Sequence, residues 1–422
     1  MEDPETGPAP AGASRTGGVA SGRDTGGNGL GDAAPASPRA DAPLHHRKRR
    51  KRRRGRKVFA PAGAPPAAAV KVAVAAMKPP EPAPARSAVA YAHGAAYAAL
   101  DLGTNNCRLL VAMPTRPGQF RVVDAFSRIV RLGEGLSSSG RLSQAAMDRA
   151  VEALKICADK LALRLTRRSR LIATEACRAA ENGEEFLDRV ERETGLVLEI
   201  IDRQTEARLA VSGCGSLVDS GTDAVALFDI GGGSSEIALV DVSRRRSQQL
   251  ADHIAAWTSL PVGVVSLAEK FGGRTVTGDS FAAMVDYVRG LIGDFSGRNA
   301  LGELAKGRGF HLLGTSGTVT TLAGVHLGLD RYDRRRVDGL WMSDGEVTAM
   351  IDRLLGWDFE RRVANPCIGP DRADLVLAGC AILDAIRQVW PAGRLRVADR
   401  GLREGILSEL MTEDGAWSRG RG

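Results

Sequence analysis

After residue 90 the spacing of apolar and polar positions changes repeatedly, and each change predicts an element. Ala96-Tyr97-Ala98-Ala99-Leu100-Asp101-Leu102-Gly103 is an apolar run that ends in an acidic residue and a glycine turn. Cys107-Arg108-Leu109-Leu110-Val111-Ala112 follows, so the two runs predict a strand hairpin, with a third strand over Phe120 to Val130. From Ser143 the apolar positions become Met147, Ala150, Val151, Leu154, Ala158, Leu161 and Leu165, which is one face of a helix. Leu171-Ile172-Ala173 is a strand; Asn182 with Glu185 resembles a capping box opening a helix that stops at Gly195; Leu196 to Ile201 is a strand; and a helix from about Thr205 carries Glu206-Ala207-Arg208.

The opening pattern then returns. Ala224-Val225-Ala226-Leu227-Phe228-Asp229-Ile230-Gly231 again ends in Asp, aliphatic, Gly, and a strand Ser235 to Val240 follows the turn. Asp101 and Asp229 lie 128 residues apart, so a strand, turn and strand unit recurs at domain-sized spacing, which predicts a duplicated fold. Helices over Gly263–Phe271 and Asp279–Leu291 come next, then a strand His311-Leu312-Leu313 running into Gly314-Thr315-Ser316-Gly317-Thr318 and a further helix. A long helix from Asp371 to Trp390 stops at Pro391, a strand Arg394 to Ala398 follows, and a last helix starts near Leu402. The alternation predicts an α/β architecture.

Composition separates a tail from this body. Thirteen of the 19 prolines fall in residues 1–90, which are poor in large apolar side chains and are expected to be disordered. Of the 58 Lys and Arg, 16 lie there with 7 of the 50 Asp and Glu, so the tail carries 16 − 7 = +9 and the body 42 − 43 = −1. A near-neutral body argues against a broad nucleic-acid-binding face. Residues 47–57, from Arg47 to Lys57, hold ten positive charges in eleven positions and no aromatic residue, which suits electrostatic contact with RNA or another polyanion but not base stacking. The acidic start Met1-Glu2-Asp3-Pro4-Glu5 does not resemble a signal peptide, and no apolar run approaches the length of a membrane span. Six scattered cysteines without CxxC or zinc spacing read as reduced, small apolar residues of a cytoplasmic protein.

Three Gly-rich turns follow apolar strands: Asp101 to Asn106, Asp229 to Ser235 and Gly314 to Thr318. Backbone N–H groups of such turns can converge on an anion, and the third leads into a helix N-terminus. Two turns carry Asp at the strand end, and a carboxylate beside bound phosphate requires a cation between them.

Asp101-Leu102-Gly103-Thr104-Asn105, Glu206-Ala207-Arg208, Asp229 to Glu236, Gly314 to Thr318 and Leu402-Arg403-Glu404-Gly405 occur in the order seen in the exopolyphosphatase and guanosine pentaphosphate phosphohydrolase (Ppx/GppA) family, and the resemblance covers residues 96 to about 412. It implies an actin-like fold of the sugar-kinase and Hsp70 ATPase type: a duplicated ribonuclease-H-like α/β unit forming two domains around a cleft, here residues 91–221 and 222–422, with the last helix returning to the first. It also implies the short two-domain form, a bacterial-type cytoplasmic enzyme that often dimerises, and Mg²⁺-dependent release of terminal phosphate from inorganic polyphosphate or guanosine pentaphosphate. Glu206 matches the family's general base and Glu236 a second acidic cleft position. Asp101, Asp229 and Glu236 would serve the metal. Gly103, Thr104, Asn105, Gly231, Gly232, Gly233, Ser234, Gly314, Thr315, Ser316, Gly317 and Thr318 would cradle phosphate. Arg178 matches a phosphate-gripping arginine, with pairing to Glu175 or Glu181 as the alternative. Two positions depart from the pattern: Gln204-Thr205 replaces an acidic residue before Glu206, and Arg400 interrupts the sequence between Asp399 and Gly401. An actin-fold kinase or ATPase, or a non-catalytic protein acting through the basic segment, are the competing readings.

Overall fold

The computed structural model describes residues 95–244, 247 and 249–417; the tail 1–90, with its basic segment 47–57, lies outside the described residues. Strands β1 (Tyr97–Leu102), β2 (Asn106–Pro114), β3 (Phe120–Ile129), β4 (Arg168–Ala173) and β5 (Glu199–Ile200) form one sheet in the order β3-β2-β1-β4-β5. Strands β6 (Ala224–Ile230), β7 (Ser235–Asp241), β8 (Ile254–Leu260), β9 (Phe310–Thr315), β10 (Trp341–Ser343) and β11 (Arg394–Val397) form the other, in the order β10-β11-β9-β6-β7-β8. The two repeat one plan. A hairpin (β1 with β2, β6 with β7) pairs antiparallel, a third strand extends it, and the first strand of each hairpin also pairs parallel with β4 or β9. Duplication read from the two Asp-containing runs is therefore present in the topology.

Helices cover these strands on both faces, so β1 and β6 are buried along nearly their whole length. In each, the one position that is not fully buried is the aspartate, Asp101 or Asp229. The register explains their company: Asp101 stands opposite Arg108 and Asp229 opposite Glu236.

The last helix, Leu402–Glu413, leaves the second sheet and packs on the first, placing Leu402, Ile406, Leu407, Leu410 and Met411 against Tyr97, Ala99, Leu110 and Ile172. It crosses the helix Arg203–Cys214 backbone to backbone. A Cβ at Gly405 would lie 2.0 Å from the Leu209 carbonyl oxygen, and one at Gly213 1.9 Å from that of Gly401.

Some elements differ from expectation. The helix predicted from Asp371 begins at Val376, because residues 371–374 turn back to meet partners from other segments. The strand expected over Leu196 to Ile201 shortens to Glu199–Ile200. Asn182 precedes the helix Gly183–Thr194 but does not cap it: its amide accepts from the Leu142 N–H at 2.8 Å and donates to the Leu142 carbonyl at 3.0 Å. All six cysteines are free and buried, and among the described residues no helix is long and apolar enough to cross a membrane. Both sheets belong to one compact unit.

Candidate active site

The turns after β1 and β6 face each other across a cleft of about 600 Å³ lined by Asp101, Gly103, Thr104, Asn105, Asp229, Gly231, Gly232, Gly233 and Ser234. Each turn closes on itself, Gly103 N–H to Asn106 O at 2.9 Å and Gly231 N–H to Ser234 O at 3.0 Å. The carbonyls then point backwards. Those of Thr104 and Asn105 accept from residues 130, 131 and 133, and those of Gly231 and Gly232 accept from Val264 and Val265. Among the described residues the N–H groups of Thr104, Asn105, Gly232 and Gly233 make no hydrogen bond, which is the arrangement of an anion-binding nest. Close approach of the two turns requires glycine: a Cβ at Gly232 would sit 2.9 Å from the Thr104 Cβ.

The third Gly-rich segment divides. Gly314 lies inside β9, where a Cβ would meet Phe228 at 2.6 Å, so it serves packing and does not line the cleft. Thr315 and Ser316 line the cleft, and Gly317 and Thr318 face a smaller adjoining cavity of about 60 Å³. Ser316 opens the helix Ser316–His326 at a left-handed φ of 79°, a conformation that costs a non-glycine residue about 1 kcal/mol or more and concentrates at functional sites.

Glu206 sits in the first turn of the helix Arg203–Cys214, whose start is fixed by Asp202 accepting from the Thr205 N–H at 2.7 Å. Its carboxyl is held well above the ordinary range, first by burial and then by the facing Glu236, with Arg178 opposing both. Glu236 accepts from Ser259 Oγ at 2.9 Å, and burial with the charge of Asp229 pushes it up to about 7. Burial also raises Asp229, to about 6, and Asp101, while Arg108 and Arg403 pull both back. Four carboxylates that resist ionisation in one cleft are a configuration typical of catalytic sites.

Arg178 does not reach the cleft. Its guanidinium donates to Glu175 Oε2 at 2.6 Å, to Glu206 Oε2 at 3.0 Å and to the Ile201 carbonyl at 2.5 Å. Of the two readings for Arg178, the structure shows the pairing with Glu175, extended to Glu206, which takes four of the five guanidinium N–H groups together with the Ile201 carbonyl. Arginines that do line the cleft were assigned no role from the sequence: Arg108, Arg334, Arg372, Arg400 and Arg403. Arg334 and Arg400 are paired with Glu404 and Asp338, whereas Arg108, Arg372 and Arg403 have no carboxylate within ion-pair distance among the described residues. A guanidinium inside an apolar strand (Arg108) or an apolar helix start (Arg403) was the available signal; Arg372 offered none.

Among the described residues no three His, Cys, Asp or Glu groups converge on one point, so Asp101, Asp229 and Glu236 do not build a closed cage. Mg²⁺ does not require one. It keeps several waters and takes one or two carboxylates with substrate oxygens, a donor set that Asp101 and Asp229 beside the two nests would supply if the ion bound there.

Residues 111–414 match the Ppx/GppA phosphatase family. The chain belongs to that family. Within it, the chain is 28% identical over 330 residues to exopolyphosphatase 2 of Mycobacterium tuberculosis, covering 74% of this chain and 98% of that protein. It is also 28% identical over 319 residues to the guanosine-5'-triphosphate,3'-diphosphate pyrophosphatase of Photobacterium profundum, where the match spans 75% of this chain but 59% of that protein. The crystal structure of the Aquifex aeolicus Ppx/GppA family member superposes with a TM-score of 0.60 at 27% identity, over 76% of this chain and 98% of that one. The actin-like Ppx/GppA fold accounts for the two repeated sheets and for the cleft between their Asp-bearing turns.

Proposed function

We propose that the chain is a Mg²⁺-dependent phosphoanhydride hydrolase that releases orthophosphate from the end of inorganic polyphosphate, with guanosine pentaphosphate as the second candidate substrate. The observation that carries this is the buried Glu206 carboxyl, fixed by Arg178 and facing Glu236, in a cleft whose two glycine turns present unbonded N–H groups.

The terminal phosphoryl group lies against the turns at Gly103 to Asn105 and Gly231 to Ser234, where N–H donors bind its non-bridging oxygens. Glu206 accepts a proton from a water aligned with the terminal P–O–P bond. The water oxygen bonds to phosphorus, the bridging P–O bond breaks, and orthophosphate leaves with a chain one phosphate shorter. Glu236 shares the cleft's negative field with Glu206, raising its basicity. Mg²⁺ near Asp101 and Asp229 would offset phosphate charge. Arg108, Arg372 and Arg403 supply unpaired positive charge for the following phosphates. Polyphosphate is placed first because the cleft brings glycine-turn N–H groups together with several guanidinium forks, a donor set that suits successive phosphate groups.

Phosphate release from long polyphosphate, tripolyphosphate and guanosine pentaphosphate, measured side by side with Mg²⁺, tests the reading. Glu206→Gln should lower the rate about 10²–10⁴-fold with the fold intact. Transfer of phosphate to an acceptor would favour a kinase, and no release by the intact protein would leave a binding protein. We also propose that residues 47–57 raise the local concentration of polyanions, the substrate or RNA, around the protein.

A further inference from the structure

Between β3 and the helix Gln144–Arg164 the chain forms a strap, residues 130–140, that belongs to neither sheet. Its backbone is welded to the first phosphate turn: Val130 and Arg131 donate to the Asn105 carbonyl at 2.9 and 3.1 Å, and Gly133 to that of Thr104 at 2.9 Å. Its side chains and later amides reach the other half of the molecule. Arg131 makes a two-pronged pair with Asp374, both contacts at 3.0 Å, and donates to the Asp371 carbonyl at 3.0 Å. The Gly135 N–H donates to Glu269 at 2.9 Å, and the Ser137 hydroxyl donates to the same carboxylate.

The far ends of these contacts are not arbitrary surface. Glu269 is on the helix Val264–Phe271, whose first N–H groups hold the Gly231 and Gly232 carbonyls of the second turn. Asp371 and Asp374 flank Arg372, which lines the cleft and lies beside Gly317 of the third turn. That segment is anchored from below by the buried Arg362, which donates to the Ala373 carbonyl at 2.9 Å and the Gly273 carbonyl at 3.1 Å. One strap therefore connects all three phosphate-facing turns. Arg131 does this from a left-handed φ of 47°, a strained conformation for arginine that the surrounding bonds must hold. An isolated, partly exposed ion pair contributes little. Here the pair is two-pronged, shares its strap with a second bridge, and has a rigid partner segment.

We propose that Arg131 is a positioning residue: through Asp374, and with the Glu269 contact, it latches the strap to the other half of the molecule and keeps the phosphate turns of both sheets in one register. This rests on the hydrolase reading above. The geometry assigns the latch to substrate affinity rather than to the chemical step, since Arg131 touches neither Glu206 nor the turns' free N–H groups.

The test uses the full-length protein. Arg131→Asn keeps a residue that accepts the left-handed backbone while removing the guanidinium. With tripolyphosphate and Mg²⁺ it should raise KM roughly five- to tenfold and leave kcat within about twofold, since a smaller fraction of molecules holds the binding-competent register. Without substrate, hydrogen exchange should rise in the strap and also at the hydrogen-bonded amides that tie down the turns, those of Gly103, Gly231, Val264 and Val265. The charge-swapped pair Arg131→Asp with Asp374→Arg should recover both readouts relative to either single change. Exchange that rises in the strap alone, an unchanged KM, or a swapped pair no better than the singles would overturn the latch. If the wild type released no phosphate, the hydrolase reading would fail while the exchange pattern still decided the latch. If Arg131→Asn did not fold, the swapped pair and Glu269→Gln would decide it by the same exchange measurement.

Discussion

Asp101, Glu206, Asp229 and Glu236 all ionise later than an ordinary carboxylate, and burial is the first cause for each. A raised folded-state pKa favours the protonated folded chain, so its stabilising contribution is complete below the ordinary carboxylate range and is lost as pH rises through the folded value. With Asp229 near 6 and Glu236 near 7, the loss falls across that window. In the proposed reaction the opposite holds, since Glu206 must be ionised to accept a proton. Two measurements on the metal-free protein and on the Mg²⁺-loaded enzyme should therefore diverge. Between about pH 5 and about pH 8 the metal-free Tm should fall, while kcat/KM with Mg²⁺ should climb. Metal-free stability that is flat or rising across this range would show that these groups are not held neutral by burial.

At the level of elements, the crossing of the last helix over Arg203–Cys214 holds Glu206 in place, and it depends on the absence of side chains at Gly213 and Gly405. Gly405→Ala would force a methyl against backbone oxygen rather than a movable side chain. The cost should be about 1–3 kcal/mol, seen as a lower Tm, with kcat falling as the helix bearing Glu206 shifts. Most elements were legible because their signals are local. The two Asp hairpins announce themselves by apolar runs with a single acidic interruption, and Ser143 caps its helix by accepting from the Ala146 N–H as its position suggests. What was not legible depends on distant partners. Residues 371–375 carry a helical pattern, yet Arg131 and Arg362 draw them into a turn. Asn182 looks like a cap and instead ties down Leu142. The same holds for the site: both glycine turns and Glu206 could be read from motifs, whereas the pairing of Arg178 with Glu206 and the appearance of Arg108, Arg372 and Arg403 in the cleft needed the fold.

For the whole molecule, charge and chemistry are separated. The body carries −1, and its proposed phosphate site draws on backbone N–H groups and a few guanidinium forks, while the tail carries +9. If the tail gathers polyanions, deleting residues 1–90 should raise KM for long polyphosphate at low salt, leave tripolyphosphate turnover unchanged, and lose its effect as salt increases. Equal KM for long chains with and without the tail at low salt would remove that role.

The return of the last helix to the first sheet also orders events during synthesis. Tyr97, Ala99, Leu110 and Ile172 are covered by residues 402–411, and the same stretch brings Arg403 and Glu404 to the cleft. The half made first must wait, with an apolar sheet face open, until the ribosome has released residues made some 300 positions later. A chain that stopped short of Leu402 would leave that face uncovered and the cleft without Arg403 and Glu404.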